Sequence, residues 1–210
     1  MCHLSLPINN LYVKILDNKL SDTTLCQFQE VVGSIIVLKT TLSATSLQQL
    51  LDIPRPIYVA GILHRFHFVI DTEDDDENDV NRYVRHPSFR NFITDPKRCT
   101  DLRFLINLSE RHTYLAYKCF DWMHNSMANW SFDDTVIPSP LRYAICHVMD
   151  HLYHVESDSK ASFLNLLRKL IEEKLTQWLQ ALFKAGRHRD AIPSVKRAFA
   201  WVVSILTSLL

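Results

Sequence analysis

A long stretch near the end of the chain carries the strongest structural signal in the sequence. Within residues 161–185, apolar side chains recur at intervals of three and four residues and so line one face of a helix: Phe163, Leu167, Leu170, Ile171, Leu175, Trp178, Leu179 and Leu182. Gly186 follows, and glycine readily adopts the left-handed conformation that ends many helices. The pattern predicts one long amphipathic helix that needs neighbours to cover its apolar face.

Most of the remaining chain shows the same helical spacing. It predicts helices over residues 8–16, 25–38, 47–53, 57–67, 87–93 and 141–154, another after Ser109, and a last one holding residues 195–210. Ser139 and Pro140 are placed as the N-cap and first residue of the helix at 141–154. Because no strand pattern returns after residue 98, the second half predicts an α-helical bundle or superhelix.

Between residues 66 and 86 the pattern changes. "FHFVID" (66–71) and "NRYVRH" (81–86) alternate as strands do, and the acidic "TEDDDEND" (72–79) joins them as a polar loop. Helices followed by such a two-stranded wing describe a winged-helix module. We therefore predict a mainly α chain, with a helical and winged-helix module over residues 1–98 and an α-helical bundle or superhelical module over residues 99–210.

Composition excludes several classes of function. The three glycines, Gly33, Gly61 and Gly186, are far apart, whereas phosphate-cradling loops need clustered glycines, so the chain lacks a Walker-type or dinucleotide-binding loop. Basic and acidic residues balance at 23 each, which gives no general attraction to nucleic acid or an anionic membrane. Five scattered cysteines without a C-x-x-C pair predict free thiols in a reducing, cytoplasmic setting. Without a nucleophile motif, we expect no enzyme.

His86 has an unusual position, directly before Pro87. Proline moves the preceding residue out of the α region and suits the first helical turn, so His86 is the predicted N-cap of the helix at 87–93. Its imidazole would lie beside unpaired backbone N–H groups and the positive end of the helix dipole, where anions bind. A neutral imidazole could donate one N–H to a phosphate oxygen there. The alternative is an imidazole that only caps its own helix.

A second set of histidines occurs in the helix at 141–154. His147, His151 and His154 stand at i, i+4 and i+7, with Asp150 beside them. Two histidines one turn apart can bind Zn²⁺, and a third ligand could complete the site. The sequence lacks the H-E-x-x-H glutamate, however, and metal sites usually draw ligands from more than one element. We expect a solvated or partly buried histidine face and no metal, with a metal-binding helical protein as an alternative.

The predicted winged helix raises a further alternative, a stand-alone DNA-binding regulator. Its wing tip, "EDDDEND", would repel phosphates. The helix before the wing and its lead-in offer only Arg55 and Arg65 as full cations. We therefore expect no nucleic acid partner.

Several segments together resemble one family. They are "VVGSIIVLKTTLSATSLQQLLDIP", "VRHPSFRNFITDPKRC", "DLRFLIN", "PLRYAICHVMDHL" and "KLTQWLQALF". In order and spacing they resemble the region after the nucleotide-binding domain of fungal NACHT-type STAND NTPases, NLR-like signalling proteins that often end in WD-repeat propellers and are related to vegetative-incompatibility proteins. The resemblance runs from about residue 8 to the last helix. It implies that His86 matches the winged-helix histidine that contacts the ADP β-phosphate in the closed state.

The same resemblance shows what this chain lacks. The family's phosphate-binding loop and Mg²⁺-binding acids lie upstream of the matching region, and no propeller repeats follow here. The resemblance thus implies a non-catalytic regulatory or docking segment of a STAND NTPase-like signalling protein. Such a segment has no cofactor of its own and meets ADP or ATP only when joined to an NTPase domain. Its partner would be a NACHT-type NTPase domain or another protein, or a second copy of itself, and not a membrane.

Overall fold

The computed structural model describes residues 5–54, 57, 59–67, 69, 70, 84, 86–127, 136–156 and 159–208. Within these ranges the chain forms nine α-helices and no β-strand. They are α1 (Ser5–Lys19), α2 (Asp22–Val37), α3 (Ala44–Leu51), α4 (Val59–Arg65), α5 (Pro87–Thr94), α6 (Leu108–Met127), α7 (Ser139–Leu152), α8 (Lys160–Lys184) and α9 (His188–Ser208). The prediction of a mainly α chain is confirmed.

The predicted two-stranded wing is not supported by the described residues. Where the first strand was expected, the chain continues α4 as turns: the Val69 and Ile70 N–H groups both donate to the Phe66 carbonyl, at 2.9 Å. Phe66, Val69 and Ile70 are all buried. Their i, i+3, i+4 spacing is that of a helical turn, and so short a segment did not separate this spacing from the alternation that predicted a strand. Residues 71–83 and 85, with the acidic loop and most of the second strand, lie outside the described residues.

The chain divides into two compact units. Unit 1 consists of Met1–Gln48 and Ile53–Arg111, and unit 2 of Gln49–Asp52 and His112–Leu210. In unit 1, α2 packs against α4, and the fully buried side chains include Phe28, Phe66, Phe89, Phe92 and Leu16. In unit 2, α8 packs against both α7 and α9, around buried side chains that include Trp178, Leu167, Leu182, Met123 and Val148. The predicted division at residue 98 into two modules stays a prediction.

The ends of α8 and α7 show how local sequence sets helix boundaries. Gly186 has φ +73°, its N–H donates to the Phe183 carbonyl at 3.0 Å, and the Arg187 N–H donates to the Leu182 carbonyl at 2.9 Å. These two bonds form the Schellman motif that the glycine predicted. The helix α7 begins at Ser139, one residue before Pro140, which was the predicted first residue, and its N-cap is Pro138.

Cys26, Cys99, Cys119 and Cys146 are free thiols. Burial, together with the charge of Asp101, raises the pKa of Cys99 to about 11, and burial raises the pKa of Cys119 further still. Both groups therefore remain unreactive thiols at neutral pH.

The apolar residues from Ala198 to Ile205 belong to α9. Among the helices described here, none combines the length and apolarity that crossing a membrane requires.

Candidate functional site

The helix α5 is fixed to unit 1 by an aromatic cluster. Phe89, Phe92 and Ile93 are fully buried at i, i+3 and i+4. The Tyr12 ring of α1 lies 5.3 Å, centroid to centroid, from the rings of both phenylalanines, and its hydroxyl is 2.9 Å from the Ser88 hydroxyl. Because its buried face is held at several points, α5 presents its N-terminus in one defined position.

His86 is the N-cap of α5, where the sequence placed it. Its backbone is extended (φ −120°, ψ 112°), and its carbonyl accepts the Phe89 N–H at 2.9 Å. The side chain is exposed and makes no capping hydrogen bond. The imidazole is thus not used as a cap, and it stands at the surface where an external group can reach it.

The neighbours of His86 suit an anion. The first helical residue, Pro87, has no N–H, and the N–H of Ser88 has no acceptor within the helix. One turn further on, Arg90 is exposed, and its guanidinium stays charged at every relevant pH. An imidazole N–H, a backbone N–H and a guanidinium are the donors that a phosphate oxygen accepts from. Among the residues that the structure describes, these groups offer a few contacts to a phosphate but not a cradle around it.

Unit 2 contains a buried histidine pair that the sequence did not reveal. His151 of α7 is fully buried, and its Nδ1 lies 2.9 Å from the Nδ1 of His112 in α6. Its Nε2 lies 2.7 Å from the Tyr143 hydroxyl. The expected solvated or partly buried face is therefore more enclosed than predicted at His151, because α6 supplies a partner from outside α7. His154, by contrast, follows the end of the helix and is exposed.

Beside this pair, His147 takes part in a separate hydrogen-bonded chain with Asp150 and Arg197. Its Nδ1 is 3.0 Å from one Asp150 oxygen, and the Arg197 guanidinium of α9 donates to the other at 2.6 Å. Burial alone would raise the pKa of Asp150, but the hydrogen bond from His147 and the charge of Arg197 outweigh it and hold that pKa below its ordinary value. The ionised carboxylate thus stabilises the fold at neutral pH, and this contribution is lost as acid protonates it.

The metal-binding alternative finds no support in this geometry. Within the part of the chain that the structure describes, no three His, Cys, Asp or Glu side chains are grouped as metal ligands. Both ring nitrogens of His151 already contact protein groups, and His147 contacts Asp150.

The helix α9 carries apolar residues on two opposite sides. One side packs into unit 2 through Ala198, Trp201 and Ile205, and the Trp201 indole N–H donates to the Leu152 carbonyl at 3.1 Å. The other side exposes three large side chains in register: Ile192 (68% exposed), Phe199 (71%) and Val203 (40%). Spacings of seven and four residues place them in one stripe along the helix. We call this stripe the outer face of α9.

Basic residues accompany the outer face of α9. Arg189 and Lys196 are exposed and lie along the same side of the helix, at positions i−3 and i+4 from Ile192. The carboxylate of this helix, Asp190, is bonded to the Arg187 guanidinium. The face is therefore both apolar and positively charged.

Comparisons with protein-family models, with curated proteins and with solved structures found no match to this chain. The resemblance to fungal STAND NTPases accordingly stays a prediction.

Proposed function

We propose that this chain is a non-catalytic regulatory and docking segment of a STAND NTPase-like signalling protein, with a NACHT-type NTPase domain as its partner. The observation that carries the proposal is the outer face of α9. A helix that is apolar on both sides is normally buried on both sides, and this helix is buried on one.

Exposure of the outer face has a free-energy cost that a partner would remove. Apolar surface gains about 25 cal/mol for each Å² removed from water. Singly scattered apolar residues need no explanation, but contiguous ones on a monomer commonly mark an interaction site. Ile192, Phe199 and Val203 lie along one side of α9, and aromatic side chains such as Phe199 are enriched at interfaces.

The positive charge of the outer face of α9 limits which kind of partner surface can cover it. Arg189 and Lys196 would be left without counter-charges against a neutral or basic surface, whereas an acidic one complements them. We therefore infer that the surface of the NTPase domain that covers α9 is apolar at its centre and acidic at its edge.

In this proposal, His86 makes binding to the NTPase domain depend on the nucleotide that the domain holds. With an NTPase domain holding ADP, the exposed imidazole and the Ser88 N–H would add contacts to a phosphate oxygen. The resemblance implies that this contact forms in the closed, ADP-bound state, so the chain would bind the ADP-loaded domain more tightly than the ATP-loaded one. A ligand that binds two states unequally shifts their balance. The contacts that the described residues offer to a phosphate are too few for appreciable affinity without the NTPase domain.

Replacing Phe199 with glutamate should weaken binding to a purified, ADP-loaded NACHT-type NTPase domain by about tenfold or more, since the change removes a central apolar contact and adds a charge that repels an acidic partner. Biolayer interferometry on the full chain gives the dissociation constants. The matched control is Leu102→Glu, because Leu102 is also strongly exposed (75%) but lies in unit 1. Absence of binding by the wild-type chain, or equal weakening by both variants, would contradict the docking proposal.

Replacing His86 with alanine should abolish the nucleotide preference and leave docking otherwise intact. We expect the wild-type chain to bind the ADP-loaded domain about 5- to 150-fold more tightly than the same domain loaded with a non-hydrolysable ATP analogue, the usual range of coupling between two sites. His64→Ala, at an exposed histidine of α4 in the same unit, is the control and should keep the preference.

Two outcomes of this second experiment count against His86 as a nucleotide sensor. One is an unchanged preference in His86→Ala. The other is micromolar ADP binding by the chain alone that disappears in His86→Ala, because the chain would then be a nucleotide-binding domain and not a segment that reads one.

A further inference from the structure

The contact between His112 and His151 allows one shared proton and no more. Their Nδ1 atoms are 2.9 Å apart, so one nitrogen must carry a proton and the other must accept it. Protonation of both rings would place two N–H donors against each other at this distance. The hydrogen bond therefore exists only while at least one of the two imidazoles is neutral.

The Tyr143 hydroxyl can hydrogen-bond to His151 whichever of the two histidines carries the shared proton. When the His151 Nδ1–H donates to His112, the His151 Nε2 accepts from the Tyr143 hydroxyl, 2.7 Å away. When His112 is the donor, the His151 Nε2–H donates to the same hydroxyl, which can act either way. Both arrangements satisfy His151 without an added proton, and a cation at this fully buried position would be costly.

Other titratable groups lie close to this pair and to Tyr143. His154 stacks on His112 with ring centroids 4.3 Å apart, and acid makes this imidazole a further cation. From α7, His147 lies 4.9 Å from the Tyr143 ring, centroid to centroid, and it contacts Asp150. The Asp150 carboxylate is bonded to His147 and to Arg197 of α9. The limit of one added proton therefore rests on the Nδ1–Nδ1 distance of the pair and not on the surrounding charges.

We propose that the His112–His151–Tyr143 chain is an acid-sensitive switch that holds α6 against α7 near neutral pH and releases them when the imidazoles become protonated. A histidine in an unfolded or opened chain gains its proton near pH 6.5. Below that pH the opened state binds two protons at this pair, whereas the closed state binds at most one. Stability must therefore rise with pH across this window, because the unfolded state holds more protons.

Urea unfolding of the full chain at pH values between about 7.5 and 5 tests the switch. Tryptophan fluorescence suits the measurement because Trp122, Trp178 and Trp201 all belong to unit 2. We expect the unfolding constant of unit 2 to rise about 10- to 100-fold for each pH unit below pH 6, that is, tenfold for each excluded proton. A weaker dependence, below tenfold, would overturn the proposal.

A variant of His112 separates the contribution of this pair to the pH dependence from that of other titrating groups. In His112→Asn, the amide can still donate or accept at the position of Nδ1 but takes up no proton, so the pH dependence should fall by about tenfold for each pH unit. His188→Asn, at an exposed histidine in the same unit, is the control and should behave as the wild type. The same pH dependence in His112→Asn and wild type would exclude the switch.

A measurement on the wild-type chain decides the matter even if His112→Asn fails to fold. The ring ¹⁵N chemical shifts of His151 report whether each nitrogen is protonated. We expect them to stay those of a neutral imidazole down to the pH at which unit 2 unfolds. Titration of His151 near pH 6.5 while tryptophan fluorescence stays native would show that the ring charges without consequence.

Discussion

Replacing Trp178 with alanine should lower the free energy of unfolding of unit 2 by about 3–5 kcal/mol, the usual cost of emptying a large aromatic site in a core. Trp178 is fully buried in α8, and its indole N–H donates to the Ile145 carbonyl of α7 at 3.0 Å. The side chain thus joins the two helices by packing and by one hydrogen bond. Because domains of this size are stable by only about 5–15 kcal/mol, the variant should leave unit 2 close to its unfolding threshold.

Urea unfolding at neutral pH, followed by far-UV circular dichroism and by fluorescence of the remaining tryptophans, measures this loss. Trp178→Phe keeps most of the buried ring and loses the indole N–H, so it should cost only about 1–2 kcal/mol. The matched control is Trp122→Ala. Trp122 is only partly buried, and its indole N–H donates to the Gln49 carbonyl at 3.1 Å. Equal losses in Trp122→Ala and Trp178→Ala would show that Trp178 is no special anchor.

The sequence predicted α8 almost residue by residue, whereas the strand predicted at residues 66–71 is not supported by the described residues. The length of the two patterns explains the difference. A periodic signal gains weight with length: apolar positions through residues 161–185 fit only a helix, and Gly186 marks the end. In "FHFVID" alternate apolar residues suit a strand, whereas Phe66, Val69 and Ile70 have helical spacing, and six residues are too few to exclude either period. In the structure, the Val69 and Ile70 N–H groups donate to the Phe66 carbonyl and form a turn.

One candidate site could be predicted from adjacent residues, whereas another depends on residues that are far apart in sequence. Pro87 restricts the residue before it, so the position of His86 could be inferred from two adjacent residues. The His112–His151 contact joins residues 39 apart in sequence, and nothing near His112 indicates a partner on another helix. The outer face of α9 did leave a signal, since apolar residues recur on every side of residues 195–205, but periodicity alone does not tell which side a partner covers.

Replacing Phe92 with alanine should cost unit 1 about 3–5 kcal/mol and should release α5 first. Phe92 is fully buried, and its ring contacts those of Tyr12 and Phe89, at centroid distances of 5.3 Å and 6.5 Å. Because α5 has only eight residues, tertiary packing and not its own hydrogen bonds keeps it helical. Hydrogen exchange with mass spectrometry should show peptides of α5 exchanging faster than those of α2.

Arg90→Ala provides the control within the same helix, because Arg90 is exposed and its loss should change stability by no more than about 0.5 kcal/mol. Phe92→Ala should also lose the ADP preference proposed for His86, although His86 itself is unchanged, since an unfolded α5 no longer presents the imidazole beside the Ser88 N–H. A variant in which α5 exchanges freely while the ADP preference persists would separate the preference from this helix. The proposed nucleotide sensor would then have to lie elsewhere in the chain.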